Sequence, residues 1–224
     1  MSKRSAKKAA GALGGTLRIA DFESLKSELQ RWRTPELRDL EKQKGSGLVL
    51  GFVKGLRLSA GLIYVLRKQM SSGGLDIHWG HLLNSSEDSC SPECDVIIHK
   101  PGFLEEWNGG DRQDRVMDFK FIVCDKAIAV ISCKSFAKAK DIDAKYVRNL
   151  KQYVKHVFLF AECCPPSEYE RLCDKAKGVG YSDFCCLYKW DEQRGLTQDL
   201  PSDHWEIFVK HILRVANPKT GRKR

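Results

Sequence analysis

Two apolar runs constrain this chain more than anything else in it. Cys94-Asp95-Val96-Ile97-Ile98 and Ala127-Ile128-Ala129-Val130-Ile131-Ser132-Cys133-Lys134-Ser135 are rich in β-branched residues, and Pro92, Pro101-Gly102 and Gly109-Gly110 punctuate them. Runs of this length and composition predict buried strands. Each also carries a polar residue that a core strand would not choose: Asp95 in the first, Ser132 and Lys134 in the second. Strand side chains alternate, so Ser132 and Lys134 share a face. If the strands pair, an aspartate and a lysine meet at the edge of an apolar sheet. Such residues are rarely buried unless paired. A structural ion pair is the plain reading and a functional site the sharper one.

The chemistry narrows in the local pattern. Ser91-Pro92-Glu93-Cys94-Asp95-Val96-Ile97-Ile98, followed by Ala127 to Ser135, resembles the signature of the PD-(D/E)XK nuclease superfamily, over roughly residues 45–160. In that signature an Asp opens one strand and a Glu-x-Lys follows an apolar run on a neighbouring one. Asp95 fits the first position, Lys134 fits the lysine, and Ser132 stands where the family has Glu or Asp. The resemblance implies an α/β fold with a restriction-endonuclease-like core: a mixed central sheet flanked by helices, in the order α–β–β–β–α–β–α–β. It also implies divalent-metal-dependent hydrolysis of phosphodiester bonds, in DNA by preference, in restriction, defence or repair.

Mg²⁺, or Mn²⁺ in its place, is the cofactor so implied; a hard cation acidifies water and neutralises phosphate charge. It prefers oxygen ligands and keeps several waters. Asp95 would be a ligand and the carbonyl of Cys133 another, while Lys134 would stabilise the anionic phosphorane or orient the nucleophile. A serine hydroxyl is a poor cation ligand, so the second acid must come from elsewhere than Ser132. Glu93, two before Asp95 and expected on the same face, is favoured; Asp118 is the next candidate and Asp143 a weaker one. Asp118-Phe119-Lys120 offers a second register of the signature, behind a shorter apolar run. The alternative function is a catalytically inactive nuclease-fold protein that binds nucleic acid or a protein partner.

A chain of 224 residues predicts one domain with an extension. We expect a flexible basic arm over 1–17, a helical extension over 18–44, the nuclease domain over 45–216 and a basic tail over 217–224. The net charge of +9 points to a polyanionic partner such as nucleic acid. Arg148, Lys151 and Lys155 form a basic face on a helix expected from Asp141 to His156, and Gln152 is placed on it too. These four are the nucleic-acid-binding candidates. Nine irregularly spaced cysteines without a signal peptide suggest a reducing intracellular compartment, the cytoplasm favoured.

The apolar stretch Leu48–Leu66 is interrupted by Lys54 and Arg57, so a buried helix, not a membrane span, is expected. Gly47, Gly51 and Gly55 recur at four-residue spacing on it and are read as a packing face; no P-loop sequence follows. A homodimer is possible. His78-x-x-His81 with Cys90-x-x-x-Cys94 has the residue types of a zinc site. Zinc is disfavoured because Cys94 falls inside a strand and the two histidines fall on opposite strand faces. Strands are expected over 75–83, 94–98, 116–124 and 127–135, three consecutive ones antiparallel. Further expected elements are a strand at 157–161, a helix at 167–177, a strand at 184–188 and a closing helix at 203–215.

Overall fold

The computed structural model describes residues 19–30, 46–70, 74–102, 105–107, 119–191, 193–194, 196–201 and 203–216. The basic arm, residues 31–44 of the expected helical extension, Asp118 and the basic tail lie outside these residues. The helices are α1 (Ile19–Gln30), α2 (Ser46–Met70), α3 (Ala144–Leu150), α4 (Tyr169–Val179) and α5 (Asp203–Ala216). The strands are β1 (Asp76–Asn84), β2 (Ser89–Cys90), β3 (Cys94–His99), β4 (Glu105–Trp107), β5 (Phe119–Val123), β6 (Ala127–Phe136), β7 (His156–Cys164), β8 (Asp183–Asp191) and β9 (Leu196–Asp199).

Among the described residues these strands form one sheet in the order β4-β5-β1-β3-β6-β7-β8-β9, with β2 paired to β1. β3 is antiparallel to β1 and to β6, while β7 and β8 run parallel to β6. The sheet is therefore mixed, as expected. The expected run of three consecutive antiparallel strands is corrected. β5 does not lie between β3 and β6 but joins the far side of β1, in parallel. Alternation specifies a strand and its faces but not its neighbour.

Helices cover both faces. One core unites Leu58, Leu62 and Leu66 of α2 and Trp205, Phe208 and Ile212 of α5 with Val96, Ile98, Ile131 and Phe160 of the sheet. The other unites Val147 and Leu150 of α3 and Leu172 and Ala176 of α4 with Ile97, Val130, Leu159 and Ala161. β3, β6 and β7 are covered on both faces, which is why they read as continuous apolar runs.

Two further expectations are corrected. The basic helix ends at Leu150, and the chain turns through residues 151–153 into β7. Tyr153 and Val154 N–H groups both donate to the Leu150 carbonyl, and Val154 is buried. Burying Val154 redirects the chain where the helical period alone would have continued. On α2 the expected close approach is corrected at Gly55, the one of the three glycines whose surroundings are described. A side chain at Gly55 would meet open space, whereas one at Gly61 would strike Leu25 of α1. No helix among the described residues is long and apolar enough to cross a membrane.

Candidate active site

β3 is irregular where it begins. His78 pairs with Ile97 and Gly80 with Cys94, so two steps on β1 match three on β3. The extra residue is a β-bulge spanning Asp95 and Val96. In a regular strand Cys94 and Val96 would share a face; here Val96 enters the α2/α5 core and Cys94 the α3/α4 core. Bulges re-aim side chains and are frequent beside active sites. Gly80, the β1 partner of Cys94, is itself closely approached from its other side, by β5. Its φ is +154°, and a Cβ there would lie 1.8 Å from the Lys120 carbonyl oxygen.

The bulge frees Asp95 from the ladder, and its Oδ2 accepts the Cys133 N–H at 2.8 Å. Burial raises the Asp95 pKa; the Cys133 N–H and the Lys134 ammonium pull it back, and Glu93 pushes it further up. Asp95 and Lys134, 39 positions apart, therefore meet electrostatically across the β3–β6 pair. The face is shared as well. Asp95 acts on Tyr146 and Tyr181, and alternation along β6 turns Ser132 and Lys134 to that α3/α4 side, opposite Ile131 and Cys133.

Ser132 is 1% exposed, and its hydroxyl interacts with those of Tyr146 and Tyr181. Burial raises both phenols; Tyr181 reaches about 12. Glu93 sits just before β3. Trp79 Nε1–H donates to its Oε1 at 2.7 Å, and the Tyr146 hydroxyl donates to its backbone carbonyl at 3.1 Å. The Cys133 side chain packs on the α2/α5 side, where Ser59 hydrogen-bonds it and burial drives its pKa well up. Asp143 caps α3 through the Lys145 N–H at 2.7 Å, which accounts for its carboxylate.

Asp118 lies outside the described residues. Lys120, of the second register, is 4% exposed on β5, which is separated from β3 by β1. Arg148, Lys151, Gln152 and Lys155 are all exposed, but only Arg148 is within the helix; Lys151 caps it and Gln152 lies in the turn. His78 Nδ1 meets His99 Nε2 at 2.8 Å, and His81 Nδ1 meets the Ser91 carbonyl at 2.9 Å. Cys94 is buried, its pKa pushed up to about 12 chiefly by desolvation. All nine cysteines are free thiols.

Among the described residues no group of three His, Cys, Asp or Glu side chains is disposed to hold a metal ion. Asp95 has the Lys134 ammonium on one hand and a second carboxylate, Glu93, on the other, whose charge opposes its own. Oxygen donors of that number fit Mg²⁺ or Mn²⁺, which retain waters, and do not fit a tetrahedral zinc cage. Residue-type reasoning missed Trp79, Tyr146 and Tyr181 as parts of this site.

No protein-family model matches the chain, and no curated protein matches it by sequence. Solved structures do. NucC of P. aeruginosa in its cAAA-bound form is similar with a TM-score of 0.55 at 13% identity, over 88% of this chain and 90% of that one. NucC of E. coli, also cAAA-bound, gives 0.55 at 11% identity, over 95% and 93%. At such identity the likeness establishes the fold, which is restriction-endonuclease-like.

Proposed function

We propose that the protein is a divalent-metal-dependent nuclease that hydrolyses phosphodiester bonds, with DNA as the favoured substrate. The observation that carries this reading is the convergence of Asp95, Lys134 and the Cys133 N–H at a bulged edge of β3. The shared fold with the two NucC structures supports a nuclease function. Asp95 and Glu93, with the Cys133 carbonyl, would hold the cation. When bound, it acidifies a water and neutralises phosphate charge. Lys134 places a positive charge where the phosphorane becomes most anionic. Ser132 anchors the two tyrosines behind Asp95 and serves the site by holding its wall. Arg148, Lys151 and Lys155, with Gln152 beside them, offer phosphate contacts at the end of α3. Restriction, defence or repair is the setting that fits a DNA-cutting enzyme, and a homodimer is its proposed assembly.

A second reading is favoured by one observation: Ser132 occupies the position of the motif acid, and no three-ligand cluster replaces it among the described residues. On that reading the protein binds nucleic acid or a protein partner without cutting. The deciding assay incubates circular and linear DNA with Mg²⁺ or Mn²⁺, with and without cAAA, since both neighbours were solved with that ligand. Cleavage that EDTA abolishes and that Asp95→Ala and Lys134→Ala each reduce by about 100-fold or more supports the nuclease. Salt-sensitive binding without cleavage in every arm supports the inactive binder.

A further inference from the structure

We propose that Tyr146 and Tyr153 form a clamp that positions the Glu93–Asp95 segment and so sets the affinity of the site for a divalent cation; this rests on the nuclease reading above. The two tyrosines are seven residues apart, Tyr146 in α3 and Tyr153 in the turn that follows it. Tyr146 O–H donates to the Glu93 carbonyl at 3.1 Å and Tyr153 O–H to the Cys90 carbonyl at 2.9 Å. These carbonyls bracket Ser91-Pro92, a stretch that belongs to no strand.

The other anchors of that stretch run to β1 and to Cys94 at the start of β3, whose Sγ–H donates to the Pro92 carbonyl at 3.4 Å. The Ser91 N–H donates to the Leu82 carbonyl at 2.8 Å, and the Leu82 N–H donates to Ser91 Oγ at 2.9 Å. His81 Nδ1 meets the Ser91 carbonyl at 2.9 Å. The segment is thus strung between β1 on one side and two phenols on the other. It leads directly into the bulge, where regular pairing no longer fixes Asp95. Displacements of well under 1 Å matter at such a site. Neither tyrosine needs to touch the cation; both are positioning residues, and their hydroxyls are the only polar groups they bring.

The test compares the full-length protein with Tyr146→Phe, Tyr153→Phe and the double variant, with Asp95→Asn as the reference. Mn²⁺ binding is read by electron paramagnetic resonance of the free ion, thermal unfolding without metal reports folding, and kcat is measured against Mn²⁺ concentration. Loss of each hydroxyl is expected to weaken Mn²⁺ binding by about fivefold. Unfolding stays cooperative, and saturating Mn²⁺ restores kcat. Phe variants that bind Mn²⁺ as the unaltered protein does overturn the clamp, as does a kcat loss that excess Mn²⁺ fails to rescue. Should the double variant not fold, Tyr153→Phe alone decides by the same criteria. Equal Mn²⁺ binding by the unaltered protein and Asp95→Asn, or none by either, overturns the nuclease reading itself and the clamp with it.

Discussion

At Asp95, burial and charge oppose one another. Desolvation raises its pKa, so the folded state favours the neutral acid more than the unfolded chain does. The folded-state pKa lies above the unfolded one, so this contribution to stability is present at low pH and is lost as pH rises through the folded value. Asp95→Asn is therefore expected to raise the apo melting temperature at neutral pH, by about 2–4 °C per kcal/mol recovered. The gain should shrink toward zero in acid, which a melting series from pH 4 to pH 8 checks, while cleavage disappears at every pH. Ser132 behaves differently. Ser132→Ala removes a partner of the buried Tyr181 phenol, while Tyr146 keeps the Glu93 carbonyl, and a loss of about 1–3 kcal/mol is expected in urea unfolding. Because the hydroxyl faces tyrosines, Mn²⁺ affinity should change far less than in Glu93→Gln.

Two elements fix how these residues meet. One is the bulged start of β3 beside β1, where Gly80 lets β5 approach closely. Gly80→Ala places a methyl against the Lys120 carbonyl and is expected to destabilise by about 3 kcal/mol or more, among the large effects of single substitutions. Chemical denaturation measures this directly. The other is α3 with its following turn, which carries Arg148, Lys151 and Lys155 outward and the tyrosines inward. Arg148→Ala with Lys151→Ala should weaken DNA binding by similar factors across sequences. The slope of log affinity against log salt should also become shallower by about 1 for each phosphate that is no longer neutralised. Fluorescence anisotropy at several salt concentrations reads both. The sequence announced β3 and β6 because central strands must be apolar on both faces. It misjudged the end of α3 because Tyr146, Leu150 and Tyr153 keep a helical period although the last of them sits in a turn. Asp95 and Lys134 were legible through the apolar runs around them. The Trp79–Glu93 and Tyr146–Glu93 bonds were not, since nothing local to those residues encodes a partner so distant along the chain.

For the whole molecule, three layers place the acidic–lysine edge and the basic turn of α3 on one side of the sheet. The fold class follows from alternating strands and helices with two-sided apolar strands, and a reader of the sequence reaches it. The strand order does not follow, because β5 crosses to the outer side of β1 after a long connection. The positive balance and the exposed basic residues at the end of α3 are consistent with a polyanionic partner. Light scattering or sedimentation is expected to give twice the monomer mass if the proposed homodimer forms. The convergence of Asp95 with Lys134 has a bearing on biosynthesis. The two are joined through a strand pair closed over dozens of residues, and β6 is itself held from its other side by β7, which is made later still. A chain emerging from the ribosome thus holds one half of its cutting edge before the other exists. On the nuclease reading, an unfinished copy is harmless to its maker's genome, and hydrolytic capacity arrives only with completed tertiary structure.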